Sequence, residues 1–348
     1  MSVEVTLFAK TATKNSLVKF LKDSSFQKTR HFLDEMNTSD TLHFMWFGVD
    51  NYESSTGVEA TVYKASIEEK EKYKCADWVL HTRTRSSGSY EDKSRQNEII
   101  KRARQQFGGT FYNDWYGTNR YTNLSDYTKF SPLEKGISIV AGNSLEKLGH
   151  ISNCLNGYRN DISETLSNLQ PESIRRLLIT NDPSILLYNA LMPFLVSVLE
   201  YFYGQCFANF IKYDETAKAL LIEEKVKIGV ADVISILQKE NSLEQIITQS
   251  YNFQNIDSIN KAYKKYISVD VLSILSKKKK VNGKVFRVLT KVQEILDARH
   301  RFVHELDINY ALTKKMYLGY VLAIENTIKL TVEAFKTKGL TIDMDYHK

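Results

Sequence analysis

The chain has few of the residues that break or staple a fold. Four prolines and 15 glycines in 348 residues exclude a linker-dominated or collagen-like protein, because those compositions are rich in both. Its three cysteines, Cys75, Cys154 and Cys206, are odd in number and widely spaced. No CxxC pattern exists, so neither a disulfide framework nor a zinc knuckle is supported. A reducing, cytoplasmic setting is expected. The opening residues, MSVEVTLFAKTATKNS, contain no apolar run long enough for a secretory leader. The net charge is modest, +6, which permits a polyanionic partner without requiring one.

What is present is ordinary globular material, with 43% hydrophobic and 25% charged residues. The length is enough for two domains, and the patterning divides the chain in that way. Up to residue 142, short strand-like and helix-like stretches alternate. VEVTLFAK, DTLHFMWFGVD, GVEATVYKAS and DWVLHTRTRSSGS read as strands, SLVKFLKDSSFQKTRHFLDEM and YEDKSRQNEIIKRARQQFGG as helices, and KGISIVAG, residues 135–142, as a last strand. The expectation is a mixed α/β-sheet domain over 1–142 with helices on one side of the sheet. Over 143–348 long helical periodicities dominate, at 145–155, 171–179 and 183–211, then VADVISILQ, SLEQIITQS, IDSINKAYKKYI, GKVFRVLTKVQEILDARHRFVHE and ALTKKMYLGYVLAIENTIKLTVEAFKTKG. The predicted class is α+β, an α/β-sheet domain followed by an all-α bundle. SKKKKVNGK, residues 276–284, reads as a solvated loop between helices, and its Lys278 and Lys279 are candidates for RNA contact.

One helix is apolar nearly all round. From Ser184 to Ile211 the single charge is Glu200. Asn189, Ser197, Gln205, Asn209 and Pro193 interrupt it, which favours the central helix of a soluble bundle over a membrane span.

The most informative stretch is QEILDARHRFVHELD, Gln293 to Asp307. On an ideal helix of about 100° per residue, Val292, Ile295, Leu296, Phe302, Val303 and Leu306 share one face. Arg299 falls at the centre of that face, and His300 and His304 lie one above the other at its edge. A cation in an apolar stripe needs a partner. Three kinds are open: a buried carboxylate, for which Glu200 is the obvious residue, a polar cleft, or an anion brought by a ligand. The two histidines do not form a HExxH zinc site, because Glu305 follows the second rather than the first.

ARHRFVHE resembles the signature of the HEPN superfamily: Arg, a polar residue, three variable positions and His. LVSVLEYFYGQCFANF resembles an early bundle helix of the larger HEPN domains, and FQNIDSINKAYKKY the segment that precedes the motif helix. The resemblance covers roughly residues 183–339. It implies an all-helical bundle that cleaves RNA without a metal or other cofactor, through the ribose 2′-hydroxyl. In it His304 would move protons, Arg299 would clamp the phosphate, His300 would assist and Glu200 would orient Arg299. It also implies a homodimer with two motifs facing each other, and a toxin or anti-phage effector role with a cognate inhibitor or phage-derived trigger as partner. HEPN domains serve too as non-catalytic RNA-binding or dimerisation modules, which is the competing reading.

In the first domain, His81 to Tyr121 interleaves basic and aromatic residues. Arg83, Arg85, Lys93, Arg95, Arg102 and Arg120 are candidates for RNA contact, and Ser86-Ser87-Gly88-Ser89 lies where a helix start could receive an anion. The loop lacks GxGxxG and P-loop spacing, so nucleotide hydrolysis is not supported.

Overall fold

The structure is a computed structural model that describes the chain except residues 31–37, 39, 158–171, 173, 175–177, 179–181, 225–226, 282–283 and 347–348. It has the α+β arrangement that the patterning predicts, in two compact units: Met1–Pro132 with Tyr346, and Leu133–Asp345.

The first unit is built on seven antiparallel strands: β1 (Ser2–Phe8), β2 (Gln27–Thr29), β3 (Thr41–Trp46), β4 (Val58–Lys64), β5 (Trp78–Arg85), β6 (Thr110–Asn113) and β7 (Gly117–Thr118). Their order in the sheet is β2-β3-β4-β5-β1-β6-β7. Period-two alternation explains the two faces. Val5, Leu7, Phe44, Val58, Ala60, Val62, Leu80 and Phe111 point into one core, against α1 (Lys14–Asp23) and α3 (Tyr90–Phe107). The opposite face carries a polar row in register, His43↔Thr61↔His81↔Thr6. Within it, Thr6 Oγ1 lies 2.9 Å from His81 Nδ1, and burial holds the His81 imidazole below its ordinary range while Glu4 opposes the shift. At one end of this face Tyr73 of α2 (Ile67–Tyr73) stacks on Phe8 with ring centroids 3.7 Å apart.

Two local expectations in this unit are corrected. The helix expected over residues 16–36 ends at Asp23, since Ser25 takes a left-handed conformation (φ 63°) and the chain turns into β2. The strand expected at 135–142 is helix. It lies inside α4 (Pro132–Gly157), whose buried Ile137, Val140, Ala141, Ser144 and Leu148 repeat at three- and four-residue steps. That helix belongs to the second unit, so the division falls at Pro132 rather than at 142.

The second unit is an α-helical bundle around α5 (Pro183–Tyr213), followed by α6 (Glu215–Glu223), α7 (Val230–Leu237), α8 (Leu243–Gln249), α9 (Ile256–Ala262) and α10 (Val271–Ser276). Asp182 caps α5 by accepting from Ser184 N at 2.9 Å, and Pro183 occupies its first turn, where a missing N–H costs nothing. Among the described residues, α5 is the one helix long and apolar enough to cross a membrane; half of its most apolar window is buried. Its inner face meets an aromatic cluster of Phe207, Tyr251, Phe253, Tyr263 and Tyr266. Tyr263 donates to the Tyr203 carbonyl at 2.6 Å, and Tyr203 and Thr331 share a hydrogen bond of 3.0 Å.

The lysine run is a second correction of kind. Lys278–Val281 forms β8 and Lys284–Arg287 forms β9, an antiparallel hairpin that delivers the chain straight into α11 (Val288–Glu305). The Lys278 and Lys279 side chains lie outside the described part, as do six of the nine residues of the helix expected at 171–179; the other three, Glu172, Ile174 and Leu178, are helical.

Candidate functional site

Helix α11 packs against α5, α10 and α12 (Lys314–Lys336). Its first two turns follow the wheel, with Val288, Val292 and Ile295 fully buried. Past Ile295 the stripe opens to solvent. Leu296, Ala298, Arg299 and Phe302 are half-buried, while Val303 is 47% and Leu306 71% exposed. The shared buried face predicted for Val303 and Leu306 is therefore not formed. Leu306 instead ends the helix in a left-handed conformation (φ 51°), an uncommon one for a side chain branched at Cγ.

Arg299 sits where the stripe changes character. It is half-buried and forms no ion pair or hydrogen bond among the described residues. The predicted link to Glu200 is absent: the Glu200 carboxylate accepts from Gln254 Nε2 at 3.2 and 3.1 Å. The reason is geometric, because Gln254 lies beside α5 at that level and an amide satisfies the carboxylate there. Arg301 points away from Arg299, and its guanidinium lies 3.9 Å from the Asp307 carboxylate with both side chains more than half exposed.

His300 and His304 are both exposed, and their ring centroids are 4.7 Å apart with the planes inclined at 45°. The two imidazoles thus face the same solvent space one turn apart, with the Arg299 guanidinium starting one residue before them. Imidazole can give or take a proton near neutral pH, and guanidinium offers a rigid donor fork for phosphoryl oxygens. Among the described residues no three His, Cys, Asp or Glu side chains come close enough to share a metal ion.

The chain just after α11 is fixed by a contact that sequence spacing could not reveal. Asn189 of α5 accepts from Asn309 N at 2.9 Å and donates to the Asn309 carbonyl at 3.2 Å, across 120 positions. The Tyr317 hydroxyl donates to the Leu191 carbonyl at 2.8 Å in the same region. These bonds hold the end of the histidine-bearing helix against the most buried helix of the bundle.

In the first unit the predicted RNA-contact residues divide sharply. Arg85 and Arg120 are exposed, and neither has an ion-pair partner among the described residues. Arg83 is braced between Glu4 and Glu59 at 3.6 and 3.7 Å. Arg102 lies 3.4 Å from Glu98 and over the Phe20 ring. Arg95 is not a free surface cation: it pairs with Glu98 at 2.7 Å, donates to the Ser24 carbonyl and covers the Trp46 ring.

Lys93 is the clearest correction, since it is fully buried. Its ammonium donates to the Arg85, Ser86 and Gly88 carbonyls, and burial lowers it to about 8 despite the neighbouring Asp92. Gly88 makes the room: a Cβ there would stand 2.8 Å from both Lys93 Nζ and Thr84 Oγ1. The anion expected at the start of α3 is supplied by the protein itself. One oxygen of Asp92 accepts from Ser55 N, Thr56 N and Ser89 N at 3.1, 3.0 and 2.9 Å.

No protein-family model, no curated protein and no solved structure matches the chain.

Proposed function

We propose that the protein is a metal-independent endoribonuclease of the HEPN type, cytoplasmic and dimeric, acting as a toxin or anti-phage defence effector under the control of an inhibitor or phage-derived trigger. The observation that carries this reading is Arg299: a half-buried guanidinium with no described partner, one residue before a pair of solvent-facing imidazoles. A cation that serves as an internal tie is paired, because an unpaired one costs the fold without return. A cation that receives a phosphate is left unpaired until the ligand arrives.

The chemistry balances on these groups. An imidazole, His304 in this assignment, takes the proton of the ribose 2′-hydroxyl as the 2′-oxygen bonds to the adjacent phosphorus. The P–O5′ bond breaks, and the departing oxygen takes a proton from a second imidazole or from water. The products are a 2′,3′-cyclic phosphate and a 5′-hydroxyl. Charge gathering on the phosphoryl oxygens is met by the Arg299 fork. His300, in ring contact with His304, holds or relays the proton. The exposed Val303 and Leu306 give the site an apolar border that a second copy would cover.

Expression in a bacterial host tests the reading. Wild type is expected to arrest growth and fragment bulk RNA, and the Arg299→Ala and His304→Ala variants to do neither while accumulating as folded protein. A harmless wild type whose purified form leaves every RNA intact would favour a non-catalytic RNA-binding or dimerisation module.

A further inference from the structure

Helix α7 (Val230–Leu237) is turned the wrong way round for a bundle helix. On a wheel of about 100° per residue, Val230, Val233, Ile234 and Leu237 form one continuous stripe, with Asp232, Ser235 and Ile236 on the opposite side. The side that carries the aspartate and the serine is the half-buried one. The apolar stripe faces solvent, its four side chains from 44% to 78% exposed, and the exposed Ile228 just before the helix extends it.

Among the described helices of the second unit, α7 is the one that buries no residue, and Gly229 at its start supplies no side-chain cap. Isolated helices shorter than about 12 residues are marginal in water, and in proteins the packing of an apolar face supplies most of the missing stability. α5 and α11 also show apolar side chains to solvent, Phe194 and Leu306 among them, but each buries another face. α7 has no second face to bury, so its stripe needs a cover.

The sequence indicates what that cover is. Residues 227–243 are all described, and the charges from 227 to 240 cancel, Lys227 and Lys239 against Asp232 and Glu240. An anionic membrane surface selects a basic border, which this segment does not provide. The stripe instead matches itself. Laid antiparallel on a second copy about a two-fold axis between residues 233 and 234, Val233 meets Ile234, Val230 meets Leu237, and Lys227 meets Glu240 at both ends. Neither Lys227 nor Glu240 has an ion-pair partner among the described residues. A parallel pairing would set Lys227 against Lys227 and Glu240 against Glu240.

We propose that α7 is a self-association face that pairs antiparallel with α7 of a second copy. This rests on α7 alone and stands whether or not the nuclease reading does. A two-fold contact here is separate from one at the end of α11, and a chain that carries both assembles beyond the dimer.

The test is the sedimentation mass of the full chain over a series of protein concentrations. Wild type is expected to rise to at least twice the mass of the Val233→Glu/Ile234→Glu variant, with the melting temperature unchanged. Lys227→Glu and Glu240→Lys should each weaken association at least fivefold, because each sets like charges against one another at both ends. Mixed in equal amounts, the two variants should associate within twofold of wild type, since the mixed pair restores opposite charges at both ends. Equal mass for wild type and the double variant at every concentration, charge swaps without effect, or a mixture that stays apart would overturn the assignment. So would wild type that cosediments with phosphatidylcholine vesicles and never with itself, which would make the stripe a lipid contact.

Discussion

His304→Ala is expected to slow RNA cleavage by the purified protein by about a hundredfold to ten-thousandfold, the usual weight of a proton-transfer group. Arg299→Ala should fall by a comparable factor, about a hundredfold to a thousandfold, the cost of removing one oriented donor from a site of developing charge. The informative variant is Arg299→Lys. It keeps the charge but loses the planar fork, and a bidentate phosphate clamp does not tolerate that exchange. It should therefore remain impaired by at least about tenfold. None of the three should move the melting temperature by more than about 2 °C, because none breaks a described ion pair or hydrogen bond and surface substitutions away from such features stay within about 0.5 kcal/mol. Single-turnover cleavage beside thermal melting decides the matter. A variant that melts early and cleaves at the wild-type rate per folded molecule would make Arg299 a structural residue.

The largest effect on stability is expected at Asp92. It is fully buried, and one carboxylate oxygen gathers the N–H groups of Ser55, Thr56 and Ser89 while the next residue buries an ammonium. Asp92→Ala leaves three donors without their acceptor and removes the carboxylate whose charge favours the buried Lys93 ammonium. Each orphaned buried group costs about 1–3 kcal/mol. A loss of about 3 kcal/mol or more in the unfolding free energy of the first unit follows, measured by urea titration. Adding Lys93→Met to Asp92→Ala should cost less than the sum of the two single changes, because the charge that the first substitution stranded is gone. A loss below about 1 kcal/mol for Asp92→Ala would show that the node is dispensable.

The layout of the fold was readable from pattern alone wherever a period was long or a stop was clear. α3 ends at Gly108, and α5 starts at Asp182-Pro183; in both, local chemistry and tertiary packing agree. Misreadings fell where the two diverge. KGISIVAG alternates like a strand, yet Pro132 starts a helix and the burial of Ile137, Val140, Ala141 and Ser144 carries it through two glycines. The lysine run reads as loop because lysine is depleted in strands, whereas the β-branched and aromatic Val281, Val285 and Phe286 favour the pairing that β8 and β9 make.

The site was legible as a cluster and illegible in its surroundings. The spacing of Arg299, His300 and His304 placed the imidazoles together on one helix, and they are in ring contact. Spacing along one helix says nothing about what faces it, so the Glu200–Arg299 link could be guessed but not checked. Only the approach of Gln254 to α5 decides where that carboxylate goes. The same limit explains Lys93 and Arg95. A basic helix face predicts solvent, but carbonyls from a tight loop and the ring of Trp46 draw those two side chains inward. The Asn189–Asn309 hook bridges 120 positions and leaves no local trace.

The sharpest test of the central claim compares two substrates that differ by a single oxygen. A cleavable oligoribonucleotide and the same strand carrying one 2′-deoxynucleotide on the 5′ side of the cleaved bond are incubated with wild-type protein in excess chelator. The account predicts that the first strand is cut to a 2′,3′-cyclic phosphate and a 5′-hydroxyl and that the second is left intact at that bond. Cleavage of the deoxy-substituted strand at the same bond, or loss of all cutting until a divalent metal is restored, would contradict it.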